Sequence, residues 1–291
     1  MSATTTIAAT IDRVARELHR ARLVYGHGTF DAWQEATWIA AHVLDTPYVA
    51  VSARDAEILP ARTAARIDRI ARRRITERIP LAYLLREAWL GELRFYVDER
   101  VIVPRSFIAE LLRGPTRSWL PRPRQVRRIL DLCTGSGCLA ILAAKIFPQA
   151  TIDAVDLSKA ALQVARKNVR LHGLQDRIRL VHSDLFDALT DARYDLIIAN
   201  PPYVNRGAMQ RLPDEYRHEP NMALAGGDDG LDFTLRILDQ AAMHFTAGGK
   251  LLVEIGHNRK VLERKRRQTP FQWMTASAGD DFVFLLDRNE L

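Results

Sequence analysis

Four consecutive residues, Asn200-Pro201-Pro202-Tyr203, carry the most specific chemistry in the chain. They follow the apolar run Tyr194 to Ala199, which reads as a β-strand, so they stand just beyond a strand's carboxyl end. Two prolines fix the backbone there and keep their carbonyls out of a ladder or helix. The Asn200 side-chain oxygen and the Pro201 carbonyl can then both accept hydrogen bonds from one –NH₂ group, and Tyr203 offers a ring face to a flat group. That geometry suits an amide or an exocyclic base amine, whose lone pair is delocalised and whose nitrogen is a poor nucleophile. Fixed acceptors for both hydrogens favour a more pyramidal nitrogen with its lone pair aimed at an electrophilic methyl group. Positioning is the main effect, and the acceptors also stabilise the positive charge developing on nitrogen. No metal and no covalent nucleophile is required. The competing reading is a Pro-Pro turn without a ligand. Against it stands the position at the carboxyl end of a central strand, where open α/β sheets bind ligands.

A donor for that methyl group is read some seventy residues earlier. The segment Asp131-Leu132-Cys133-Thr134-Gly135-Ser136-Gly137-Cys138 closes a strand and opens a helix. Gly135 and Gly137 permit a tight turn and a close approach of backbone N–H groups to a ligand. Asp156 ends the next strand, where a carboxylate can accept both hydroxyls of a ribose. These features alone also fit a nicotinamide-dependent oxidoreductase. Asp131, four residues before the first glycine, tilts the balance toward S-adenosylmethionine, because methyltransferases place an acid there near the methionine end of the cofactor. Ser183-Asp184-Leu185 follows the third strand, where Asp184 can take an adenine amino group and Leu185 can lie against the ring; Asp184 as a plain turn residue competes.

The elements that must position these residues are legible as two textures. The first third is helical. Ile11, Val14, Leu18 and Tyr25 keep one apolar stripe closed by Gly26 as a C-terminal cap; Asp31 and Gln34 resemble a capping box opening a helix from Ala32 to Leu44, with Pro47 beyond it. A third helix lies within Ala56 to Arg78 and stops at Pro80. Trp89 to Leu93 and Phe95 to Val103, around Gly91, suggest a β-hairpin, and Gly114 to Arg128 reads as a loop. From Arg128 onward strands and helices alternate, with strands at Ile129–Leu132, Thr151–Asp156, Ile178–His182, Asp195–Ala199, Lys250–Ile255, Phe271–Thr275 and Phe282–Leu286. Alternation of this kind implies an α/β fold with a mostly parallel sheet covered on both faces. Ala276 to Asp281 is too short for a parallel crossover, so the seventh strand should run antiparallel, which fits a methyltransferase better than a dehydrogenase.

Composition bounds the class. With 47% hydrophobic and 26% charged residues over 291 positions, the chain can bury a substantial core, and no apolar run approaches the length of a membrane span. Cys133 and Cys138 are not spaced as C-x-x-C, and a reduced cytoplasmic protein is the simple reading. The Arg-rich, amphipathic N-terminus leaves a mitochondrial transit peptide open. The net charge of +7 favours an anionic partner such as RNA or a ribonucleoprotein, or merely reflects an arginine-rich composition.

With both motifs placed, the chain resembles the HemK/Prm family of protein-glutamine N5-methyltransferases over nearly its whole length. The resemblance includes Glu219-Pro220, Ala223 to Leu231 and Glu254-Ile255-Gly256-His257. Val103-Pro104-Arg105-Ser106-Phe107-Ile108-Ala109-Glu110-Leu111 and Tyr96 to Arg100 look like the branch that modifies a ribosomal protein, not the release-factor branch. The resemblance implies a class I, Rossmann-like methyltransferase fold with a seven-stranded mixed sheet. It also implies an N-terminal helical substrate-recognition domain (1–85), a hairpin linker (86–104) and a catalytic domain (105–291). The implied substrate is a glutamine of large-subunit ribosomal protein three, free or in an assembling particle, with rRNA contact through the basic surface and no membrane partner. Cys133, Thr134, Gly135, Ser136, Gly137, Asp156, Leu185 and Asn200 would contact S-adenosyl-L-methionine, and Asn200, Pro201, Pro202 and Tyr203 would hold the glutamine. Three departures stand out: Phe107 where a proline is usual, Arg86 where the linker usually has glycine, and an unusually basic Arg259 to Pro270. Competing readings are the same chemistry on a release-factor glutamine, methylation of a nucleobase amino group, the oxidoreductase, and a non-catalytic RNA- or ribosome-binding role.

Overall fold

The computed structural model describes residues 5–114, 119–120 and 123–291. By its contacts the chain divides into two units. One runs up to Ala88 and includes Pro213–His218; the other comprises Trp89–Leu212 and Glu219–Leu291.

In the first unit, β1 (Thr5–Thr6) pairs antiparallel with β2 (Ile58–Leu59). Helix α1 (Ile7–Arg20) opens on Thr6, whose hydroxyl accepts from the Ala9 N–H at 3.2 Å. It buries Ile7, Ile11, Val14 and Leu18 at helical spacing. The helix ends at Ala21, so Tyr25 and Gly26 lie beyond it, contrary to the expected stripe and cap. Gly26, at φ 135, instead closes a separate turn by donating to the Thr29 carbonyl at 3.1 Å. Helix α2 (Ala32–Val43) is capped by Asp31, which accepts from Gln34 N–H at 2.8 Å. Gln34 reaches back to the N–H of Phe30, not of Asp31, so only half of the capping box forms. Helix α3 (Ala61–Glu77) lies within the expected stretch; β2 occupies the chain before it and Pro60 takes the N-cap. Helix α4 (Leu81–Leu85) ends on Arg86 at φ 55, the left-handed conformation glycine adopts without strain, which accounts for the glycine usual there and puts Arg86 in a conformation side chains disfavour.

The core of this unit is partly ionic. Arg74 donates to Glu35 at 2.9 Å and to the Val24 carbonyl at 3.1 Å, while Glu215 accepts from Val24 N–H at 3.0 Å and pairs with Arg78 at 2.7 Å. Arg74, Glu35 and Glu215 are all essentially sealed from solvent. Burial pushes the Glu35 carboxyl upward, against the pull of Arg74.

The hairpin is shorter than expected: β3 (Ala88–Leu90) and β4 (Leu93–Phe95) have three residues each, and residues 96–103 are not strand. A turn at Asp98 ends the pairing; its carboxylate accepts from Arg100 N–H at 3.2 Å and its carbonyl from Val101 N–H at 3.1 Å. Helix α5 (Phe107–Arg113) follows. Of the expected loop 114–128, residues 115–118 and 121–122 lie outside the described residues.

The second unit is built on β5 (Arg128–Leu132), β6 (Thr151–Asp156), β7 (Ile178–His182), β8 (Tyr194–Ala199), β9 (Phe245–Glu254), β10 (Gln272–Ala276) and β11 (Gly279–Asp287), in the order β10-β11-β9-β8-β5-β6-β7. β5 to β9 are mutually parallel where they pair, and β11 runs antiparallel to both of its neighbours, as the short connection required. Strand β9 starts at Phe245, five residues before the expected Lys250; Gly248 and Gly249 form an irregularity within the pairing to β8 and do not end it. Helices α6 (Cys138–Ile146) and α7 (Lys159–Leu171) follow β5 and β6. Between β8 and β9 lie α8 (Arg206–Met209), α9 (Asn221–Leu224) and α10 (Asp232–Ala241), and α11 (Arg259–Lys265) follows β9. Leu130, Leu132, Ile197, Leu251, Val253 and Phe284 are fully buried in one sheet-centred core, the near-continuous apolar burial of a two-sided sheet. Half of the basic stretch around α11 is tied off: Lys265 pairs with Asp229 at 2.6 Å, Arg266 with Asp239, and Arg259 with Glu263 at 3.1 Å.

Candidate active site

The turn after β5 is held by the two acids that sequence picked out. Asp131 accepts from the Thr134 hydroxyl at 2.5 Å and from Ala140 N–H, in the first turn of α6, at 3.0 Å. Asp156 accepts from Gly135 N–H and Ser158 N–H, each at 2.8 Å. The backbone between them takes left-handed conformations at Cys133 (φ 58), Gly135 (φ 55) and Gly137 (φ 80). Nothing lies near the position a Gly135 side chain would take, whereas a Cβ on Gly137 would stand 3.3 Å from that of Ala165. Gly135 therefore opens space for a ligand, and Gly137 lets α6 pack on α7. Asn168, fully buried on α7, locks the turn by donating to the Ser136 carbonyl at 2.9 Å. It also accepts from the N–H of Tyr96 at 2.7 Å.

Burial pushes the Asp131 carboxyl up to about 7, with its two donors opposing the shift and the Asp156 charge adding to it. Its second oxygen is buried without a hydrogen-bond partner among the described residues. Burial also raises Asp156, against its two backbone donors, and pushes the Cys138 thiol up to about 12. Both cysteines are free.

A cleft of about 180 Å³ opens at the carboxyl ends of β5, β6 and β8. Cys133, Gly135 and Asp156 line it on one side, Asn200 and Pro202 on another, and Phe233 and Met222 give it apolar walls. The glycine turn and the first and third residues of the tetrad therefore meet in one cavity. Pro201 is buried behind it, and Thr134, Ser136 and Gly137 lie beneath the turn's surface. Leu185, at φ 46, is buried in the sheet core, and Asp184 is paired with Arg236 at 3.0 Å, so neither lines the cleft.

The tetrad is fixed by a framework that its own sequence does not reveal. The Asn200 side-chain N–H donates to the Arg105 carbonyl at 3.4 Å, Asn200 lines the cleft, and among the described residues its Oδ1 has no hydrogen-bond donor. Arg105 is gripped bidentately by Glu219, both contacts at 2.6 Å, and Glu219 also accepts from Val103 N–H at 3.0 Å. Tyr203 donates to Glu254 at 3.3 Å. A Cβ on Gly256 would stand 2.7 Å from the Tyr203 ring, so glycine there lets the ring lie flat on the chain. Tyr203 thus spends one ring face on its own framework. Its hydroxyl is held far above its ordinary range, first by burial and then by the Glu254 charge.

Glu254 also accepts from the Ser106 hydroxyl at 2.6 Å and from Phe107 N–H at 2.9 Å. Phe107 is the first residue of α5, where proline fits well, but only a residue with an N–H can make this bond. That departure therefore adds a tie between the Pro104-Arg105-Ser106 stretch and β9. Arg105, Asn168, Glu219 and Glu254 had no derivable chemical role in the sequence. Glu219 and Glu254 were visible only as parts of family motifs.

The strand order, the antiparallel last strand and the glycine turn facing the tetrad define a class I methyltransferase. A sequence model described as "Methyltransferase small domain" matches residues 118–214. Among solved structures, the catalytic domain of hMettl16, crystallised with a MAT2A 3′UTR hairpin, superposes with a TM-score of 0.52 at 15% identity. That match covers 80% of this chain and 84% of that one. A methyltransferase from Pyrococcus furiosus gives 0.51 at 18% identity, covering 68% and 90%. At such identities the likeness concerns the fold. The ribosomal protein uL3 glutamine methyltransferase of Neisseria meningitidis serogroup A is 50% identical over 288 residues, 99% of this chain and 94% of that protein. Its namesake in Burkholderia pseudomallei is 47% identical over 98% of this chain and 95% of that one. The chain belongs to the family of ribosomal protein uL3 glutamine methyltransferases.

Proposed function

We propose that this protein transfers a methyl group from S-adenosyl-L-methionine to the side-chain amide nitrogen of a glutamine in ribosomal protein uL3, in the cytoplasm. The observation that carries the reading is the meeting of the glycine turn and Asn200 in one cleft, with Asn200 Oδ1 left uncommitted. The names of the full-length relatives supply the acceptor. Residues 1–85 serve substrate recognition and residues 105–291 catalysis.

The residues present fit the cofactor. The unpartnered Asp131 oxygen suits the ammonium of its methionine end, Asp156 suits the ribose hydroxyls, and the open side of Gly135 admits the chain between them. Asp184 and Leu185, outside the cleft's lining, would border the adenine, and Cys133, Thr134, Ser136 and Gly137 form the turn that would hold the cofactor. When bound, the cofactor supplies an electrophilic methyl on a sulfonium. Asn200 Oδ1 and the Pro201 carbonyl take the two amide hydrogens of the glutamine, Pro202 fixes the backbone between them, and Tyr203 borders the acceptor amide. The acceptors stabilise charge on the amide as its nitrogen becomes a nucleophile. The proton lost from nitrogen leaves to water.

Mass spectrometry of uL3 after reaction with the enzyme should show one added methyl on a glutamine residue. An unmodified uL3 would reject the acceptor assignment. A second expectation concerns pH. A carboxyl with a native pKa near 7 and an unfolded value near 3.8 binds more protons in the fold between those limits. Its contribution to stability therefore falls as pH rises through that window and is flat above it. Cofactor binding needs the ionised form, so affinity for S-adenosylhomocysteine should rise from pH 6 to pH 7.5, by roughly fivefold to tenfold. Calorimetric titration measures this, and Asp131→Asn should bind weakly with a flat profile. A rise that persists unchanged in that variant would remove Asp131 from the cofactor's ammonium.

A further inference from the structure

Helix α3 carries an exposed arginine stripe, most of which has no ion-pair partner among the described residues. Arg62, Arg66, Arg69 and Arg73 follow at intervals of four, three and four residues. At helical pitch they fall within an arc of about 60° and span about 16 Å. All are exposed, on the side opposite the buried Ile67 and Ala71, with Arg72 exposed on the flank. Arg73 is held by Glu77 at 2.8 Å, but among the described residues Arg62, Arg66, Arg69 and Arg72 have no ion-pair partner. Some basic groups elsewhere are paired, as with Lys265 and Arg266 beside α11, or Arg13, held by Asp68 on α3 itself; the stripe is set apart by its alignment along one exposed helix face. The stripe also works against its own helix. Like charges at i,i+3 and i,i+4 repel, and Arg62 sits in the first turn, where the helix dipole disfavours a cation.

We propose that this face of α3 binds the phosphate backbone of RNA, and that uL3 is presented to the enzyme together with RNA. The second clause rests on the function proposed above. A ribosomal protein is itself basic because it binds RNA. An unpaired cationic stripe on an enzyme of net charge +7 would repel such a substrate on its own. The opposite holds once the substrate carries RNA. Adjacent phosphates along one strand then face guanidinium groups set about a helical turn apart, and arginine forks suit phosphate oxygens. The contact is to backbone, so it carries no base preference.

The test compares the full-length wild type with R62E/R66E/R69E, all at exposed positions remote in sequence from the site residues. With a fluorescein-labelled single-stranded RNA of about 20 nucleotides, the variant should bind roughly tenfold or more weakly, and the slope of log K against log salt should shrink by about 2. Equal affinity and slope would overturn the proposal. So would polyglutamate competing on the wild type as well as unlabelled RNA, which would point to an acidic protein partner. Methyl transfer separates the two claims. Relative to wild type, the variant should lose several-fold more rate on RNA-associated uL3 than on RNA-free uL3. If the wild type modifies neither form while the RNA-binding difference persists, the uL3 reading fails and the RNA face stands. If it modifies both and the variant's rate relative to wild type is the same on both, the presentation claim is overturned.

Discussion

Replacing Asn200 with alanine is expected to lower methyl transfer by about 10²–10³-fold, the usual cost of removing one preorganised polar group from a site where charge develops. S-adenosylhomocysteine affinity should change by no more than about threefold, because the turn at Asp131 to Gly137 and Asp156 is built independently of the tetrad. Asn200 lies at the cleft with its N–H committed to the Arg105 carbonyl and its oxygen free. Alanine therefore removes both the acceptor and the bond that aims it. Asn200→Asp separates the two: a carboxylate still accepts, but it faces the Arg105 carbonyl with no hydrogen to give. Its transfer rate should fall between those of wild type and alanine. Single-turnover transfer with saturating cofactor is the measurement. An Asn200→Ala enzyme with an undiminished rate would mean that Pro201 alone positions the amide.

The second large effect is expected at Glu219, which touches no reacting atom. Its side chain is fully buried and satisfies both Arg105 and Val103 N–H. Removing one partner of a buried pair costs about 3 kcal/mol or more, and here the lower end applies because Arg105 is 29% exposed. Glu219→Ala should lower the melting temperature by roughly 6–12 °C for a unit of this size. A purely structural role predicts that and nothing else. A positioning role predicts that Glu219→Gln, with a smaller stability loss, lowers kcat about tenfold or more while leaving KM for the cofactor unchanged. It predicts further that Asn200→Ala/Glu219→Gln is no slower than Asn200→Ala, since both act through the same side chain. Additive losses would show that Glu219 does not act through Asn200.

These two residues mark the limit of what could be read without coordinates. Strands β5 to β8 were legible nearly to the residue, because they are short apolar runs closed by Asp156, by glycine turns or by the tetrad. The start of β9 was not, since Gly248-Gly249 carries the pattern of a break and only pairing with β8 shows that the strand continues. The hairpin's second arm was overread for the opposite reason. Tyr96 to Val103 alternates like a strand, and the Asp98 side chain takes the N–H that a strand partner would need. Within the site, Asn200, Gly135 and Asp156 announced themselves by type and by distance from a strand end. Arg105, Glu219 and Glu254 did not. Arg105 and Glu219 lie 114 residues apart and Glu254 lies 148 from Ser106, and a Glu outside a local pattern reads as one more surface charge. Arg86 and Phe107 looked like defects against the family pattern; one is a residue tolerating a left-handed turn, the other supplies an N–H that proline lacks.

The six residues Pro213–His218 belong to the N-terminal unit although they lie between the tetrad and Glu219 in sequence. Their Glu215 is sealed among Arg74, Arg78 and the Val24 N–H. The chain thus passes between the units three times, so a single recombination breakpoint cannot exchange the helical unit for another. Any graft of a new recognition unit onto this catalytic one must replace Pro213–His218 together with everything up to Ala88, or else strand a buried glutamate without its arginines. Lineages that carry this arrangement are therefore expected to inherit the two units as one block, with changes at Arg74, Arg78 and Glu215 correlated.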